Sequence, residues 1–296
     1  AMKFEKYQHV ERFGNTEVED ITNGACYIFP KLDGTNASVW TDEQGEIKAG
    51  SRNRMLHVDY DNAGFCKFVQ SNMNLRTFFD DHPELRLYGE WLVPHTIKTY
   101  EDNAWRKFYI FDVQDISSGD MWHYDEYQSL LDNYGLDFIP YLAAIVSPTE
   151  AELSKIRDED NTYLIQEGKG IGEGIVVKNY YFVNRFGNTI WAKLVRDEFK
   201  QIVKVKGESK DCIETAIVEK YITIHLVDKT LAKIQTENDG LWTSKFIPQL
   251  LGRVYYDLIK EDAWEFLKKF KNPTINFKNL SNKCSRQVKY LKPELF

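Results

Sequence analysis

The chain has 296 residues, 43% of them hydrophobic and 28% charged, enough apolar material for one large domain or two smaller ones. No apolar run approaches the roughly 20 residues that span a bilayer, no secretory-signal pattern appears, and neither Cys26, Cys66, Cys212 and Cys284 nor the histidines show disulfide or zinc spacing, so a reducing cytoplasm is the expected setting. The formal charge is −7, yet residues 193–296 carry a net +6 and the first 192 a net −13, an asymmetry that points to a basic partner surface on the C-terminal part.

In chain order, "ACYIFPK" (25–31), "NASVW" (36–40) and "EIKAGSR" (46–52) read as successive antiparallel strands, the last two joined by the turn "TDEQGE". From Gly64 to Phe79 apolar residues recur at helical spacing and stop at "DDHP". Two strand-like runs follow, "LRLYGEWLV" (85–93) and "KFYIFDVQD" (107–115). Next come a helix, "YDEYQSLLDNYG", closed by Gly135, and a strand, "FIPYLAAIV". "SPTEAELSKI" reads as a helix with Ser147 as N-cap and Pro148 in its first position. "EGIVVKNY" and "TIWAKLV" complete the strands, and "RDEFKQIV" begins a helix. The polar, glycine-containing "KVKGESKD" (204–211) reads as a linker. Beyond it, "CIETAIVEKYITIHLVDKTLAKI", "LWTSKFIPQLLGRVYYDLI" and "DAWEFLKKF" are helical in period. The pattern predicts an α+β domain of antiparallel sheets with flanking helices over 1–206 and a small all-helical domain over 207–296.

Five polar clusters interrupt or end these strands. They are "KLDGTN" (Lys31, Asp33, Gly34, Asn36), "GSRNR" (Arg52, Arg54), "LYGEW" (Glu90) with the aromatic strand of Phe111 behind it, "GEGIVVK" (Glu173, Val176, Lys178) and "WAKLV" (Lys193). Each sits on or beside a strand, so together they can line one groove between sheets. Singly, most have a plainer account. Asp-Gly is a turn signal, with lysine at a strand end; Phe111 suits a core strand; Arg52 and Arg54 form a solvated edge pair. Glu173 and Lys178 read as strand-end charges, and Lys193 snorkels beside Trp191. Glu90 resists such an account, because a carboxylate inside an apolar strand is rarely buried unpaired.

In this order the clusters resemble the covalent nucleotidyltransferase superfamily of ligases and capping enzymes, whose catalytic domain is ATP-grasp-like. Within it, "KLDGTN" is most similar to the ATP-dependent RNA ligases of the RNA ligase 2 type, and the resemblance covers roughly residues 25–200. It implies that RNA 3′-hydroxyl and 5′-phosphate ends are joined in three phosphoryl transfers. A lysine attacks the α-phosphate of ATP and expels pyrophosphate, AMP passes to the RNA 5′-phosphate, and the 3′-hydroxyl displaces AMP. Lys31 is the implied nucleophile. An ammonium cannot attack, and nearby cations (Lys178, Lys193, a bound metal) favour loss of its proton.

Phosphoryl transfer rests on alignment and charge neutralisation, so the resemblance implies Mg²⁺, replaceable by Mn²⁺, with its waters oriented by Asp33, Glu90 and Glu173. Glu90 is also implied to reach the ribose. Lys178 and Lys193 would grip the α-phosphate, Arg52 would contact ribose or RNA phosphate beside Arg54, and Phe111 would stack on the adenine with Val176 on its other face. Val176 and Lys178 share a strand face, which suits that pairing. "GTN" matches the RNA ligase 2 type, where DNA ligases usually carry an arginine; Asn36 would then bond a ribose hydroxyl or a phosphate near the nick, while the residue alone reads equally as a turn asparagine.

Two departures stand out. Val195 occupies the position of a second lysine in the last motif, leaving Arg196 or Lys200 to supply that charge. The helical tail replaces the OB-fold of DNA ligases and capping enzymes. A DNA ligase or guanylyltransferase, and a catalytically silent RNA-binding relative, are the alternatives. In either case the basic runs "KKFK" (Lys268 to Lys271) and "NKCSRQVKYLK" (Lys283 to Lys292) are the expected RNA contact; oligomeric state is left open.

Overall fold

The computed structural model describes residues 3–196 and 213–296, and the chain divides into two units, Ala1–Leu194 and Val195–Phe296. The expected linker, the boundary at 206/207 and the helix expected beyond Arg196 lie outside the described residues. In chain order the strands are β1 (Glu11–Arg12), β2 (Ala25–Lys31), β3 (Thr35–Thr41), β4 (Ile47–Ser51), β5 (Leu85–Trp91), β6 (Phe108–Asp115), β7 (Ala143–Val146), β8 (Gly174–Lys178) and β9 (Ala192–Val195). Among the described residues they form a sheet of order β1-β9-β8-β2-β7 and a second of order β4-β3-β5-β6.

Period-two alternation decides which face of each sheet is greasy. Cys26 and Ile28 of β2, Ile175 and Val177 of β8, and Ala192 and Leu194 of β9 enter one apolar cluster with Val18, Ile21 and Leu153. The intervening residues, Tyr27, Phe29 and Lys31, then Val176 and Lys178, then Lys193, are left on the opposite face. On the second sheet, Trp91 and Phe108 pack against Phe65 at ring-centroid distances of 5.4 and 5.0 Å. That leaves Asn36, Tyr88, Glu90 and Asp112 on its other side. Lys178 and Asp112 meet at 2.8 Å, so these polar faces are the ones turned toward each other. The chain passes from the first sheet to the second through Leu32–Gly34, between β2 and β3, and returns between β6 and β7.

Between Tyr88 and Gly89 the β5–β6 register shifts, Tyr88 facing Asp112 and Gly89 facing Ile110, so Phe111 is the extra residue of a bulge. Gly89 is required there, because a Cβ would lie 2.5 Å from both the Phe108 ring and the Tyr109 carbonyl oxygen.

Most strands match their expected spans; several helices do not. The single helix expected over Gly64–Phe79 is two, α1 (Phe65–Ser71) and α2 (Met73–Asp81), because Asn72 leaves helical geometry and caps the second by accepting from the Leu75 N–H at 2.9 Å. After α3 (Tyr124–Asn133) comes α4 (Glu150–Lys155), whose N-cap is Thr149 in a capping box with Glu152, not Ser147. The strand expected over 138–146 is confined to β7, and β1 was not foreseen.

The described C-terminal unit is helical, as expected. It comprises α5 (Ile213–Tyr221), α6 (Ile224–Glu237), α7 (Ile247–Lys269) and α8 (Phe277–Leu291). The first expected helix is again two, α6 being capped by Thr223, whereas the next two are one unbroken α7. α7 buries Leu250, Val254, Leu258 and Phe266 at near four-residue intervals against Leu280, Cys284 and Val288 of α8.

Gly89→Ala is expected to lower unfolding free energy by about 1–3 kcal/mol through overpacking at the bulge, measured by urea denaturation against the wild type.

Candidate active site

The mouth of the site forms where the chain changes sheets. Lys31 ends β2, and its Nζ lies 3.0 Å from Glu173 Oε2, just ahead of β8. The lysine side chain is 27% exposed and the glutamate 4%, so the pair has one foot in solvent. Gly34 donates its N–H to Glu90 Oε1 at 2.8 Å, and Asn36 sits directly across the β3–β5 ladder from Glu90. The sequence suggested Gly34 for a tight turn, yet its need is steric. A Cβ there would collide with the Trp91 carbonyl oxygen and lie 3.0 Å from Glu90 Cγ. Only glycine lets the loop after the lysine lie flat on β5.

Asp33 is 1% exposed, and its Oδ2 accepts from the Ile97 N–H at 2.7 Å. Its own N–H donates to the Tyr100 hydroxyl at 3.0 Å. Tyr100, absent from the sequence-based site, is fully buried. Burial pushes its phenol well above the ordinary range, and the charges of Asp33, Glu173 and Glu90 push it further. Three carboxylates from three motifs therefore gather around one neutral hydroxyl. The only hint in the sequence is a tyrosine in "HTIKTY", with no motif around it. Oxygen donors of this kind suit a hard cation bound largely through water. Among the described residues no group of three His, Cys, Asp or Glu is arranged to chelate a metal directly.

The floor lies farther down the same strand pair. Lys31 faces Gly174 and Tyr27 faces Lys178, four residues along β2, or about 13 Å at the rise of a strand. Lys178 is 2% exposed, with Nζ donating to Asp112 Oδ1 at 2.8 Å and to the Phe111 carbonyl. It also lies 4.7 Å over the Phe29 ring. Asp112 Oδ2 accepts from Trp191 Nε1 at 3.0 Å and from the Tyr7 hydroxyl. Burial pulls the Lys178 ammonium below its usual range, with Asp112 opposing that pull; burial and Asp112 together raise the Tyr7 phenol. Lys178, expected beside the α-phosphate, is held at the floor by Asp112 and the Phe111 carbonyl. Asp112 and Tyr7 were missed because one reads as a strand residue and the other lies outside every motif.

Phe111 is half-buried beside this clamp, its ring 5.0 Å from that of Tyr7, and Val176 lies across the ladder from Phe29. Lys193 occupies the β9 face shared with Lys178, while its backbone carbonyl accepts from the Phe13 N–H at 2.9 Å. Val195 ends β9 and Arg196 follows, half-buried; Lys200 lies outside the described residues. Arg52 is exposed beyond β4. Arg54 Nη1 and Nη2 donate to the carbonyls of Tyr60 and Asp61 at 2.7 and 3.0 Å, so its guanidinium organises its own loop.

A family model described as RNA ligase matches residues 25–195. Among solved structures, an RNA ligase from Naegleria gruberi with pyrophosphate is 21% identical, with a TM-score of 0.52 over 66% of this chain and 57% of that one. A lysine-to-methionine variant of a Naegleria gruberi RNA ligase, with AMP and manganese, is 20% identical, with a TM-score of 0.50 over 66% and 56%. At such identity these likenesses speak for the fold, and the chain spans under three-fifths of those ligases. No curated protein sequence matches.

Asp112→Asn removes the counter-charge of a buried ammonium and is expected to destabilise the protein by about 3–5 kcal/mol. The double variant Asp112→Asn with Lys178→Met should recover most of that loss in denaturant unfolding.

Proposed function

Because the chain belongs to the RNA ligase family, we propose that it is an ATP-dependent ligase that joins RNA 3′-hydroxyl and 5′-phosphate ends through a lysyl-AMP intermediate on Lys31. The observation that carries this reading is the Lys31–Glu173 pair, at the crossing between sheets and beside Glu90. With Glu173 as acceptor of its proton, Nζ attacks the α-phosphorus of ATP; the N–P bond forms as the bond to pyrophosphate breaks. AMP then passes to an oxygen of the RNA 5′-phosphate, restoring the lysine. Attack by the 3′-hydroxyl forms the phosphodiester and expels AMP.

The remaining residues supply position and charge. Glu90 holds the Gly34 N–H, so the loop that carries Lys31 cannot lift away from β5. Asp33, with its carboxylate on Ile97, fixes the same loop from the other side. A divalent cation, Mg²⁺ or Mn²⁺, would be held through water by Glu90 and Glu173 and would neutralise phosphate charge. Lys178 and Lys193 are assigned to the α-phosphate, Arg52 to ribose or RNA phosphate, and Asn36 to a ribose or phosphate oxygen. Phosphates near Lys31 put the base toward the floor, where Phe111 and Val176 offer apolar surface and the Lys178–Asp112–Tyr7 cluster offers polar edges.

No helix among the described residues is long and apolar enough to cross a membrane; the cytoplasm is the setting we propose, on the cysteine pattern. The RNA contact of the helical unit is assigned to α8, which carries Lys278, Lys283, Arg286 and Lys289 and no acidic residue. Lys278, Arg286 and Lys289 are exposed.

Incubation with α-labelled ATP and Mg²⁺ is expected to label the wild type covalently and leave Lys31→Ala unlabelled; absence of label on the wild type, or label on the variant, defeats the reading. Glu173→Gln should slow labelling by about 10²-fold or more. Reversing Lys278, Arg286 and Lys289 to glutamate should weaken RNA binding and flatten its log–log salt dependence by about 0.7–0.9 for each phosphate no longer neutralised, read from affinities between low and physiological salt.

A further inference from the structure

The loop between β4 and α1 holds a feature that adenylation of Lys31 does not use. Tyr60 is 62% exposed, an unusual state for a tyrosine in a tightly bonded segment. One face of its ring is covered by the Arg54 guanidinium, 3.6 Å from the ring centroid; the ring as a whole remains open to solvent. The same guanidinium holds the carbonyls of Tyr60 and Asp61, so ring and cation move as one piece.

That piece is fastened to the ends of β3, β4 and β5 beside the mouth, from the sheet face that carries Thr35 and Trp91. The Tyr60 N–H donates to the His57 carbonyl at 2.9 Å, and buried Leu56 anchors the loop through its N–H to the Ala49 carbonyl at 2.8 Å. The Asp61 carboxylate accepts from the backbone N–H groups of Asn62, Cys66 and Lys67, fixing the start of α1. Asn62 Nδ2 donates to Thr35 Oγ1 at 3.2 Å, within "KLDGTN" and next to Asn36. Trp91, beside Glu90, donates its Nε1 to the Ala63 carbonyl at 3.1 Å. An exposed aromatic ring is thus locked to the strand ends beside the mouth, on the Trp91 face of the sheet, with exposed Arg52 and His57 in the same loop.

We infer that the outer face of Tyr60, backed by Arg54, is a stacking platform for the nucleobase at the RNA end brought to Lys31, an inference that rests on the RNA ligase reading. Every base offers a π-face, so a rigid ring at the mouth grips an end without reading its sequence. A cation beneath the ring draws electron density from its outer face and suits it to an electron-rich base. The flanking Arg52 suits the adjoining phosphate.

The test is a titration of the full chain with short RNA, comparing wild type, Tyr60→Ala and Tyr60→Phe. Each is measured on intact RNA and on the same RNA with an abasic terminal nucleotide. Tyr60→Ala is expected to weaken intact RNA about 5- to 100-fold. Tyr60→Phe should stay within about 2-fold of wild type, and wild type and Tyr60→Ala should converge on abasic RNA. Equal binding of intact RNA by wild type and Tyr60→Ala overturns the inference, as does a loss that persists undiminished on abasic RNA. Lysyl-AMP formation by the wild type, assayed in parallel without RNA, reports on the ligase reading separately.

Discussion

Two sheets that turn polar faces toward each other need something to hold them at a fixed separation, and here that is the buried pair of Lys178 and Asp112. Taking both charges out of water is unfavourable in itself. The pair persists because the carboxylate also takes hydrogen bonds from Trp191 and Tyr7, and the ammonium also reaches the Phe111 carbonyl. The result is a fixed joint between β6 and β8. With one end of the facing surfaces closed by this joint, the other end is the place where Lys31, Glu173 and Glu90 approach. The β2–β8 ladder therefore carries both limits of the site, its charged mouth and its aromatic floor, on one rigid piece of backbone.

The strands were largely legible because each side chain reports its own face. Cys26 and Ile28 against Tyr27 and Phe29 are enough to orient β2, and "KLDGTN" at its end marks the crossing. Helix ends were less legible, because they depend on single competing hydrogen bonds. Asn72 could have continued a helix and instead caps the next one; Ser147 and Thr149 each have a glutamate three residues on, but Ser147 has a left-handed φ of 49° while Thr149 has the extended backbone that an N-cap needs. The motif residues at the mouth, Lys31, Glu90 and Glu173, were readable because their spacing repeats a known order. Tyr100, Tyr7 and Asp112 were not, because what makes them matter is closeness across more than sixty residues, which no local pattern encodes. Lys178 shows the converse. Its motif was recognised, but its hydrogen-bond partners, Asp112 and the Phe111 carbonyl, come from the opposite sheet.

The helical unit answers to a different constraint. α7 and α8 each bury a stripe of apolar residues, and α8 was noticed in the sequence for its charge alone. One helix thus meets two demands: Leu280, Cys284 and Val288 serve the core, while the cations between them face outward. The family match stops at residue 195, where the unit of sheets gives way to this one. Acidic and basic halves of the chain correspond to a unit that gathers Asp33, Glu90 and Glu173 near Tyr100 and a unit that presents lysines and arginines.

The joint beneath the site also sets an order of events in time. Its members come from residues 7, 112, 178 and 191, so the pocket is assembled from nearly the whole length of the first unit. A ribosome must have delivered Trp191 before the Asp112 carboxylate can collect its partners. Until then each sheet has a polar face with nothing to press against. Distant pairings of this kind form late and slowly in folding, so a nascent chain gains the floor of this cleft as one of the last features of the domain.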